Sequence, residues 1–597
     1  MSEVNDRRGR ELRVKIGGEA GFGIKSAGQT LARVFMDAGL NIADLTEYPS
    51  LIRGGHNNYF LRVSQKPIFS HVEEIDVLVA LNRETVDLHL DELVDGGAVI
   101  FDPKETSTEG WLPSGKLRPV PVPLTEFARQ AGGTIMRNTV AMGAVLALVH
   151  FPLEGLAESL RAQFAHKAPE VAESNIVAAA LGYQYVSQNV PNFWLQPRGV
   201  KGAPRRLLID GNEAIGLGAL AAGIGFYAAY PMTPASSILH FMAKHERDHG
   251  VVIKHTEDEL AAMNMVVGAA FTGARAMCAT SGGGFALMNE AFGMAGVSES
   301  AVVVGVITRP GPATGMPTWT EQSDLRYVIH AAQGEFPRVV LAPGDQAESF
   351  ELTWKAFNLA DQLQTPVVIL GDSYLSDNRR SIPYPDMDTV TIDRGKLVTE
   401  GNVAEHPEAR DEDGRYLRYK VTDDGISVRA VPGVEGATQL GNSYEHDEYG
   451  YGQLGEPAET RIAQNDKRMH KLDIARTLVP GPNYFGVAPE DADIAVLCWG
   501  STVGPIREAA AWLGEEGVAV AVMQVVTMWP FPAMEVADFI GEAKSTMIVE
   551  GNFTGQLQGL VREQCLLDVD HTLHRYDGRQ FTPERIVAKI KEVLADA

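Results

Sequence analysis

Short apolar runs alternate with longer stretches of helical periodicity over most of the chain. The first run, ELRVKIGG, is followed by a helical pattern and a second strand pattern, NIADL. Later runs such as AVVVGVIT, PVVILGD and ADIAVLCWG are almost wholly apolar. Continuous apolar runs of strand length between helices are typical of parallel strands that are buried on both faces. The pattern predicts an α/β fold made of three α/β domains with mainly parallel sheets.

Changes in composition indicate the borders between these domains. The stretch NVPNFWLQPRGVKGAPRR is rich in proline, glycine and basic residues and ends the first domain. Apolar periodicity is lost again after the second domain. A last helix begins at Thr582 and Pro583, which suit the N-cap and first helical positions. The predicted segments are a first domain over 1–195, a second over 205–385, an irregular connector over 386–488 and a third domain over 489–597.

Glycine residues surround the first strand-to-helix turn. Gly17, Gly18, Gly21 and Gly23 stand where backbone N–H groups can approach an anion at a helix N-terminus. The spacing is neither a Walker A loop nor GxGxxG, because Ile24 separates Gly23 from the following lysine. A phosphate site and a simple tight turn both fit this pattern.

A second glycine pair lies further along the same domain. Arg53, Gly54, Gly55 and His56 precede a strand pattern. Arginine and glycine in this position suit the binding of a phosphate or of a partner surface, and a solvated loop fits equally well.

Two loops after apolar strands carry candidate binding residues. Pro231 and Pro234 fix the backbone around Thr233, at the end of the strand pattern GFYAAY. Arg309 ends the strand AVVVGVIT, where a guanidinium group can bind a carboxylate through two hydrogen bonds. Ligands of parallel α/β sheets bind at such strand ends. The alternatives are a helix N-cap for Thr233 and a structural ion pair for Arg309.

Three carboxylates precede the most apolar helix pattern of the chain. Glu257 and Asp258 suit the positive end of a helix, and Thr256 with Glu259 matches a capping box. Both sides of the following helix are apolar, which predicts a buried helix. A carboxylate at its mouth would be desolvated, which raises its pKa and suits Glu259 to proton chemistry. The run from Ser281 to Gly284 predicts a glycine loop after the next strand.

Composition narrows the class of protein. The formal net charge of -25 argues against nucleic acid and against an anionic membrane surface as partners. The three cysteines, Cys278, Cys498 and Cys565, are too far apart in sequence to suggest a disulfide framework or a metal site built by this chain alone. The sequence shows neither an apolar signal core nor an apolar run of membrane-spanning length, so we expect a soluble, cytoplasmic protein.

Several motifs together resemble a known enzyme family. The chain resembles the α subunit of 2-oxoacid:ferredoxin oxidoreductases in the motifs YPMTPAS, HTEDELAAMNMVVGAA, ATSGGGFALM and TRPGPATGMPT. It resembles the γ domain of the same enzymes, fused ahead of α, in GGEAGFGIKSAG and EYPSLIRGGHNNYFLRVS. The fused order and the long arm look most like the 2-oxoglutarate members. The resemblance implies a γ-type domain, a pyrimidine-side thiamine diphosphate domain and a transketolase C-terminal-like domain.

The resemblance also implies roles for individual residues. Glu259 takes the place of the carboxylate on N1′ of the aminopyrimidine, while Arg309 binds the substrate's 1-carboxylate and Thr233 helps to orient it. Ser281, Gly282, Gly283 and Gly284 pass close to the coenzyme. Many relatives carry proline where this chain has Gly283. Gly21, Gly23, Arg53 and His56 are the candidate contacts for coenzyme A.

The implied activity needs a second chain. The reaction converts 2-oxoglutarate, coenzyme A and oxidised ferredoxin to succinyl-CoA, carbon dioxide and reduced ferredoxin, a step of the tricarboxylic acid cycle. A β subunit, in an (αβ)₂ heterotetramer, is implied to bind the diphosphate with Mg²⁺ and to carry a [4Fe–4S] cluster. This chain lacks the GDG motif and the cluster cysteines, and no metal ligand is predicted in it. The alternatives are a pyruvate, branched-chain or broad-specificity enzyme, or a non-catalytic binding subunit.

Overall fold

The computed structural model describes residues 11–51, 54–106, 117–191, 193–452 and 456–596. Contacts group the chain into two units. Unit 1 takes the chain up to Asp210, with Asp377–Tyr384 and Thr582–Arg585. Unit 2 takes Gly211–Ser376, Pro385–Phe581 and the remaining C-terminal residues. The boundaries of the three domains stay a prediction.

The strands alternate with helices in both units. In chain order the strands are β1 (Glu11–Glu19), β2 (Asn41–Glu47), β3 (His56–Ser64), β4 (Ile75–Ala80), β5 (Leu93–Phe101), β6 (Arg118–Pro121), β7 (Arg206–Asp210), β8 (Phe226–Ala229), β9 (Val252–His255), β10 (Ala276–Thr280), β11 (Val302–Thr308), β12 (Val339–Leu341), β13 (Val367–Asp372), β14 (Arg379–Pro383), β15 (Leu397–Val398), β16 (Arg429–Ala430), β17 (Asn483–Gly486), β18 (Ile494–Trp499), β19 (Val520–Val525), β20 (Thr527–Trp529), β21 (Thr546–Glu550) and β22 (His571–His574).

The helices connect and cover these strands. In chain order they are α1 (Ile24–Asp37), α2 (Arg83–His89), α3 (Leu124–Ala131), α4 (Arg137–Leu148), α5 (Glu154–Gln163), α6 (Pro169–Asn189), α7 (Gly211–Ala221), α8 (Ser236–His249), α9 (Glu259–Phe271), α10 (Gly282–Val297), α11 (Leu325–Ile329), α12 (Gln346–Leu363), α13 (Ser373–Asp377), α14 (Ala458–Leu478), α15 (Val503–Glu515), α16 (Ala533–Glu542), α17 (Gln556–Cys565) and α18 (Pro583–Asp596).

Unit 1 contains a mixed sheet of order β6-β5-β4-β1-β3-β2-β14-β7. Strands β1, β4, β5 and β6 are parallel to one another, whereas β3 runs antiparallel between β1 and β2. The first strand, helix and strand therefore form as the sequence predicts, but β1 and β2 do not pair. Helix α1 packs closely on the sheet, because a Cβ atom at Gly28 would overlap the ring of Tyr59.

Besides the two-stranded pair of β15 and β16, the described part of unit 2 contains two larger sheets that are almost entirely parallel. The larger has the order β20-β12-β13-β11-β10-β8-β9, and only β20 is antiparallel to its neighbour. The smaller has the order β17-β19-β18-β21-β22, with β17 antiparallel. Strands β10, β11 and β13 are buried along their whole length. Burial on both faces accounts for their unbroken apolar sequences and confirms the predicted α/β class.

The connector is irregular only in its first part. Between β14 and α14 the described backbone holds the two-residue strands β15 and β16 and short 3₁₀ turns. Helix α14, of 21 residues, lies where the sequence predicted only an irregular connector. Its buried positions include Gln464, Lys467, Arg468 and Lys471 instead of an apolar stripe, so hydrophobic periodicity could not reveal it. No helix among the described residues is long and apolar enough to cross a bilayer.

Candidate active site at the strand ends of unit 2

Four neighbouring parallel strands of the larger sheet end at the same edge. Strands β11, β10, β8 and β9 are adjacent in this order. The segments that follow them carry Arg309, the Ser281–Gly284 run, Thr233 and Glu259, respectively. Because the carboxyl ends of adjacent parallel strands open at one edge, the topology assembles these four predicted features into one site.

Glu259 is buried at the start of α9 and does not cap it. The N-cap is Asp258, whose side chain accepts a hydrogen bond of 2.7 Å from the amide of Ala261. The predicted capping box of Thr256 and Glu259 is therefore wrong, because the helix begins two residues later than that motif requires. Glu259 is only 2% exposed, and its buried Oε1 atom has no hydrogen-bond partner. Burial raises the pKa of this carboxyl group.

The glycine run is the first turn of a helix and not a loop. Helix α10 begins at Gly282, and its N-cap residue, Ser281, makes no side-chain cap bond. A Cβ atom at Gly284 would overlap the Thr280 hydroxyl and lie 2.7 Å from Glu259 Oε1. At Gly283 the nearest atom would be 3.9 Å away. Gly284 thus leaves room for the Glu259 carboxyl group, whereas Gly283 faces open space.

Arg309 and Thr233 are joined through the backbone. Arg309 Nη1 donates a hydrogen bond of 2.6 Å to the carbonyl oxygen of Thr233. This is the one hydrogen bond that Arg309 makes with the described residues, so its other donors can reach a ligand. The N-cap alternative for Thr233 is wrong, because α8 begins at Ser236 with Ala235 as its N-cap. Burial lowers the pKa of Arg309, and the charge of Asp324 opposes this shift.

The helices beside Glu259 present an exposed apolar face. On α9, Leu260 and Met265 are 51% and 46% exposed, and on α10 Leu287 is 52% exposed. A Cβ atom at Gly268, on the same side of α9, would meet nothing within 4 Å. The prediction that α9 is buried on all sides is therefore wrong for this chain by itself. We call Leu260, Met265, Gly268 and Leu287 the apolar face.

Unit 1 holds a separate cavity at the predicted glycine turn. Its volume is about 400 Å³, and its lining residues are Gly21, Phe22, Gly23, Ile24, Lys25, Ser26, Thr46, Tyr48, Asn57 and Asn58. Gly23 is the N-cap of α1 and leaves the first amides of the helix without a side-chain cap. Thr46 Oγ1 and Asn58 Oδ1 are buried and lack a hydrogen-bond partner. The cavity thus combines a helix N-terminus, a lysine and unsatisfied polar atoms.

The structure separates His56 from this lining. His56 Nε2 lies 2.8 Å from His89 Nε2, and His89 Nδ1 lies 2.7 Å from Glu92. Lys15 also contacts Glu92. Burial, followed by the charges of His89 and Lys15, lowers the pKa of His56 to about 4. His56 is not among the cavity residues, and Arg53 lies outside the described residues.

Some residues of these sites gave no signal in the sequence. Thr280 lies beside Glu259, and Thr46 and Asn58 line the cavity of unit 1. Thr280 and Asn58 stand inside the quoted motifs, but nothing in the sequence singled out these three residues. Asp324, whose pKa burial raises to about 6, is likewise an ordinary residue in the sequence. Across the described ranges, no group of three or more histidine, cysteine, aspartate or glutamate side chains is arranged to hold a metal ion.

Family models match nearly the whole chain. Residues 217–465 match the model described as pyruvate flavodoxin/ferredoxin oxidoreductase, thiamine diphosphate-binding. Residues 13–185 match pyruvate ferredoxin/flavodoxin oxidoreductase, and residues 492–586 match core domain II of pyruvate:ferredoxin oxidoreductase. The first of these models includes Thr233, Glu259, Ser281–Gly284 and Arg309.

Curated relatives and a solved structure extend the match. The α subunit of 2-oxoacid:ferredoxin oxidoreductase 2 of Aeropyrum pernix is 32% identical, and the alignment covers 98% of each chain. The 2-oxoglutarate oxidoreductase subunit KorA of Mycobacterium tuberculosis is 27% identical, over 98% of this chain and 91% of that protein. The 2-oxoglutarate:ferredoxin oxidoreductase of Magnetococcus marinus is 32% identical with a TM-score of 0.90, over 98% of this chain and 100% of that chain.

The fold and the site define an oxidoreductase subunit with a thiamine diphosphate-binding domain. The chain belongs to the 2-oxoacid:ferredoxin oxidoreductase family and matches an α subunit of that family over 98% of its length. The resemblance drawn from the sequence is confirmed, and so is the assignment as an oxidoreductase.

Proposed function

We propose that this chain is the α subunit of a 2-oxoglutarate:ferredoxin oxidoreductase that forms succinyl-CoA. The observation that carries the proposal is the grouping of buried Glu259 with Arg309 at one edge of the parallel sheet, where four neighbouring strands end. The choice of substrate is supported by the Magnetococcus marinus enzyme, whose structure has 2-oxoglutarate, coenzyme A and succinyl-CoA bound. The name of the Aeropyrum pernix relative specifies only 2-oxoacids. The alternative for this chain is therefore a broader substrate specificity.

The residues around Glu259 fit thiamine diphosphate. The unpartnered, buried Oε1 atom of Glu259 offers a hydrogen bond to N1′ of the aminopyrimidine, and Gly283 leaves open space beside it. When bound, the coenzyme supplies the electron sink that decarboxylation of a 2-oxoacid requires. Glu259 would hold and move the proton at N1′. Burial suits Glu259 to this task because it raises the pKa of the carboxyl group.

Arg309 is suited to bind the 1-carboxylate of the substrate. Its Nη1 atom is fixed on the carbonyl oxygen of Thr233, which orients the guanidinium group. The donors that remain can form charge-assisted hydrogen bonds with a carboxylate. Thr233, whose carbonyl oxygen accepts this hydrogen bond, would help to orient the substrate.

The apolar face beside Glu259 supports a β partner. An exposed apolar patch next to a functional site is typical of a surface that another chain covers. The β subunit would bring the diphosphate-binding Mg²⁺ and the [4Fe–4S] cluster, for which this chain offers no ligand group among its described residues. Ferredoxin would accept the electrons, and the assembly would be an (αβ)₂ heterotetramer.

The cavity of unit 1 is our candidate site for the phosphates of coenzyme A. Lys25, the uncapped start of α1 and the unpartnered atoms of Thr46 and Asn58 are suited to an anionic, polar ligand. Gly21 and Gly23, which the sequence analysis predicted as contacts for coenzyme A, line this cavity. His56 is held by His89 and does not line this cavity.

The substrate proposal is tested by reduction of ferredoxin or viologen in the presence of coenzyme A. The enzyme is co-expressed with its partner subunit and assayed with 2-oxoglutarate, pyruvate and a branched-chain 2-oxoacid. We expect the largest kcat/KM with 2-oxoglutarate. A kcat/KM for pyruvate that equals or exceeds it would refute the choice of 2-oxoglutarate while leaving the family intact.

A further inference from the structure

Asp324 occupies an unusual position for an aspartate that precedes a helix. It is the N-cap residue of α11, where an aspartate commonly accepts a hydrogen bond from the first helical turn. Here the side chain makes no cap bond. Its carboxylate lies instead against the first residue of α10, because a Cβ atom at Gly282 would overlap Asp324 Oδ2 and lie 2.9 Å from Oδ1. The carboxylate thus fills the space beside the glycine run.

Arg309 is the positive charge that acts on this carboxylate. It follows β11, the neighbour of β10, after which Gly282 and the Asp324 carboxylate lie. Its charge lowers the pKa of Asp324, although burial has the larger effect and raises the pKa to about 6. Asp324 in turn is the charge that raises the pKa of Arg309. The structure shows no ion pair between the two side chains, and Nη1 of Arg309 is bonded to Thr233 instead.

The other ionisable groups near Asp324 do not neutralise it. Two such groups are Glu321, in the same loop, and Tyr327, on α11. Burial is the main cause that raises the pKa of each, and the negative charge of Asp324 adds a smaller increase. Glu259, the first residue of α9, lies beside Gly284 and not beside Gly282, where the Asp324 carboxylate packs. Arg309 is therefore the charge to which Asp324 responds.

We propose that Asp324 is a positioning residue that serves as the internal counter-charge of Arg309 and takes up a proton when a 2-oxoacid binds. While Asp324 is ionised, it and Arg309 together present no net charge to the incoming 1-carboxylate. Once Asp324 is protonated, the full positive charge of Arg309 faces the substrate. One proton moves from solvent to the Asp324 carboxylate on binding, and returns when the substrate's carboxylate leaves as carbon dioxide.

This inference rests on the proposed role of Arg309 and predicts a pH profile. Ionised Asp324 weakens binding, so the KM for 2-oxoglutarate should rise as the pH increases above about 6, by roughly tenfold up to pH 8. Asp324→Asn removes the titrating group, so its KM should stay low and nearly constant over this range. The matched control is Glu321→Gln, which should keep the profile of the unchanged enzyme.

A binding measurement separates this role from a purely structural one. Calorimetry of the holoenzyme with 2-hydroxyglutarate, which has the same carboxylates but no keto group, is repeated near pH 7 in buffers of different ionisation enthalpy. We expect proton uptake on binding, and its loss in Asp324→Asn. If that variant does not fold, Asp324→Ser serves in its place.

The outcomes distinguish the inference from the proposal beneath it. If Arg309→Ala leaves the KM for 2-oxoglutarate unchanged, the role of Arg309 fails and the inference fails with it. If Arg309→Ala raises the KM by tenfold or more, but Asp324→Asn keeps both the pH profile and the proton uptake, only the inference about Asp324 is overturned.

Discussion

At the scale of single residues, the feature that stands out is a buried carboxyl group with an unsatisfied oxygen. Leaving a buried polar atom without a partner costs about 1–3 kcal/mol. Glu259 carries this cost at the start of a helix whose N-cap is already supplied by Asp258. Its oxygen is therefore free to bind a ligand instead of closing the helix. That arrangement supports a role in proton transfer at the coenzyme.

The role of Glu259 predicts a large loss of activity without a loss of fold. We expect Glu259→Gln to lower kcat by about 100-fold or more, the usual contribution of a positioned acid or base. The measurement is viologen reduction by the complete enzyme with 2-oxoglutarate. Glu257→Gln is the control, because Glu257 is exposed and lies outside the helix, and it should retain normal turnover. Normal kcat in Glu259→Gln would contradict the assignment.

The two neighbouring glycines predict different defects. Gly284→Ala should lower the free energy of unfolding by about 1–3 kcal/mol, because the new Cβ atom would collide with Thr280 and crowd Glu259. Gly283→Ala should leave stability unchanged and weaken thiamine diphosphate binding. Thermal unfolding and coenzyme titration of both variants provide the comparison. Equal stability of the two variants would show that the crowding at Gly284 has no consequence.

At the scale of elements, helix α14 is held by buried charges. Lys467 Nζ and Lys471 Nζ donate hydrogen bonds of 2.5 Å and 2.6 Å to the carboxylate of Glu299. Arg418 donates to the backbone oxygen of Glu299. These cations outnumber the carboxylate in a region without solvent. Burial therefore lowers the pKa of Lys467 to about 7 and that of Lys471 to about 8, while the lysines hold the pKa of Glu299 well below its usual range.

This cluster predicts a rise in stability with pH. Between about pH 7 and 10 the unfolded chain keeps lysine protons that the folded chain has released, so the free energy of unfolding increases with pH. Lys467→Met removes part of this dependence. We compare the free energy of unfolding of the variant with that of the unchanged protein at each pH. This difference should favour the variant more at pH 6 than at pH 9, by about 1 kcal/mol or more.

Denaturant unfolding at both pH values measures this difference. Lys544→Met is the control, because Lys544 is exposed and should show no pH-dependent change. If both variants respond to pH in the same way, the excess charge of the cluster is compensated by groups outside it.

At the scale of the whole molecule, the main feature is the apolar face, which the single chain leaves exposed to solvent. Leu260, Met265 and Leu287 are about half exposed on two helices that otherwise pack in a core. Covering them removes apolar area from water, at about 25 cal/mol per Å². Because this face lies beside Glu259, a partner subunit that covered it would also complete the active site.

The apolar face predicts a selective defect in assembly. Leu287→Asp should weaken co-purification with the β subunit by tenfold or more, because a charge would be buried in the contact. Its unfolding temperature as a single chain should change little, since Leu287 is exposed. Leu566→Asp, at a site that is 86% exposed, is the matched control and should assemble normally. An unchanged yield of complex from Leu287→Asp would place the interface elsewhere.

The sequence by itself determined the α/β class and the motifs of the site. Buried parallel strands have to be apolar throughout, and such runs remain readable in β10, β11 and β13. Thr233 and Arg309 were found because ligands of these sheets bind where strands end. Glu259 was found because it stands at the start of an apolar helix pattern. The order of the motifs then identified the family.

Only the tertiary structure decided what those residues do in space. Strand order, which sequence does not encode locally, brought the segments after β8, β9, β10 and β11 to one edge. The helical glycines of α10 and helix α14 depend on contacts with residues far away in the chain, since Gly282 packs against Asp324 and Glu299 holds two lysines of α14. Asp324 gained its place in the site through such a contact, because its carboxylate fills the space that Gly282 leaves empty.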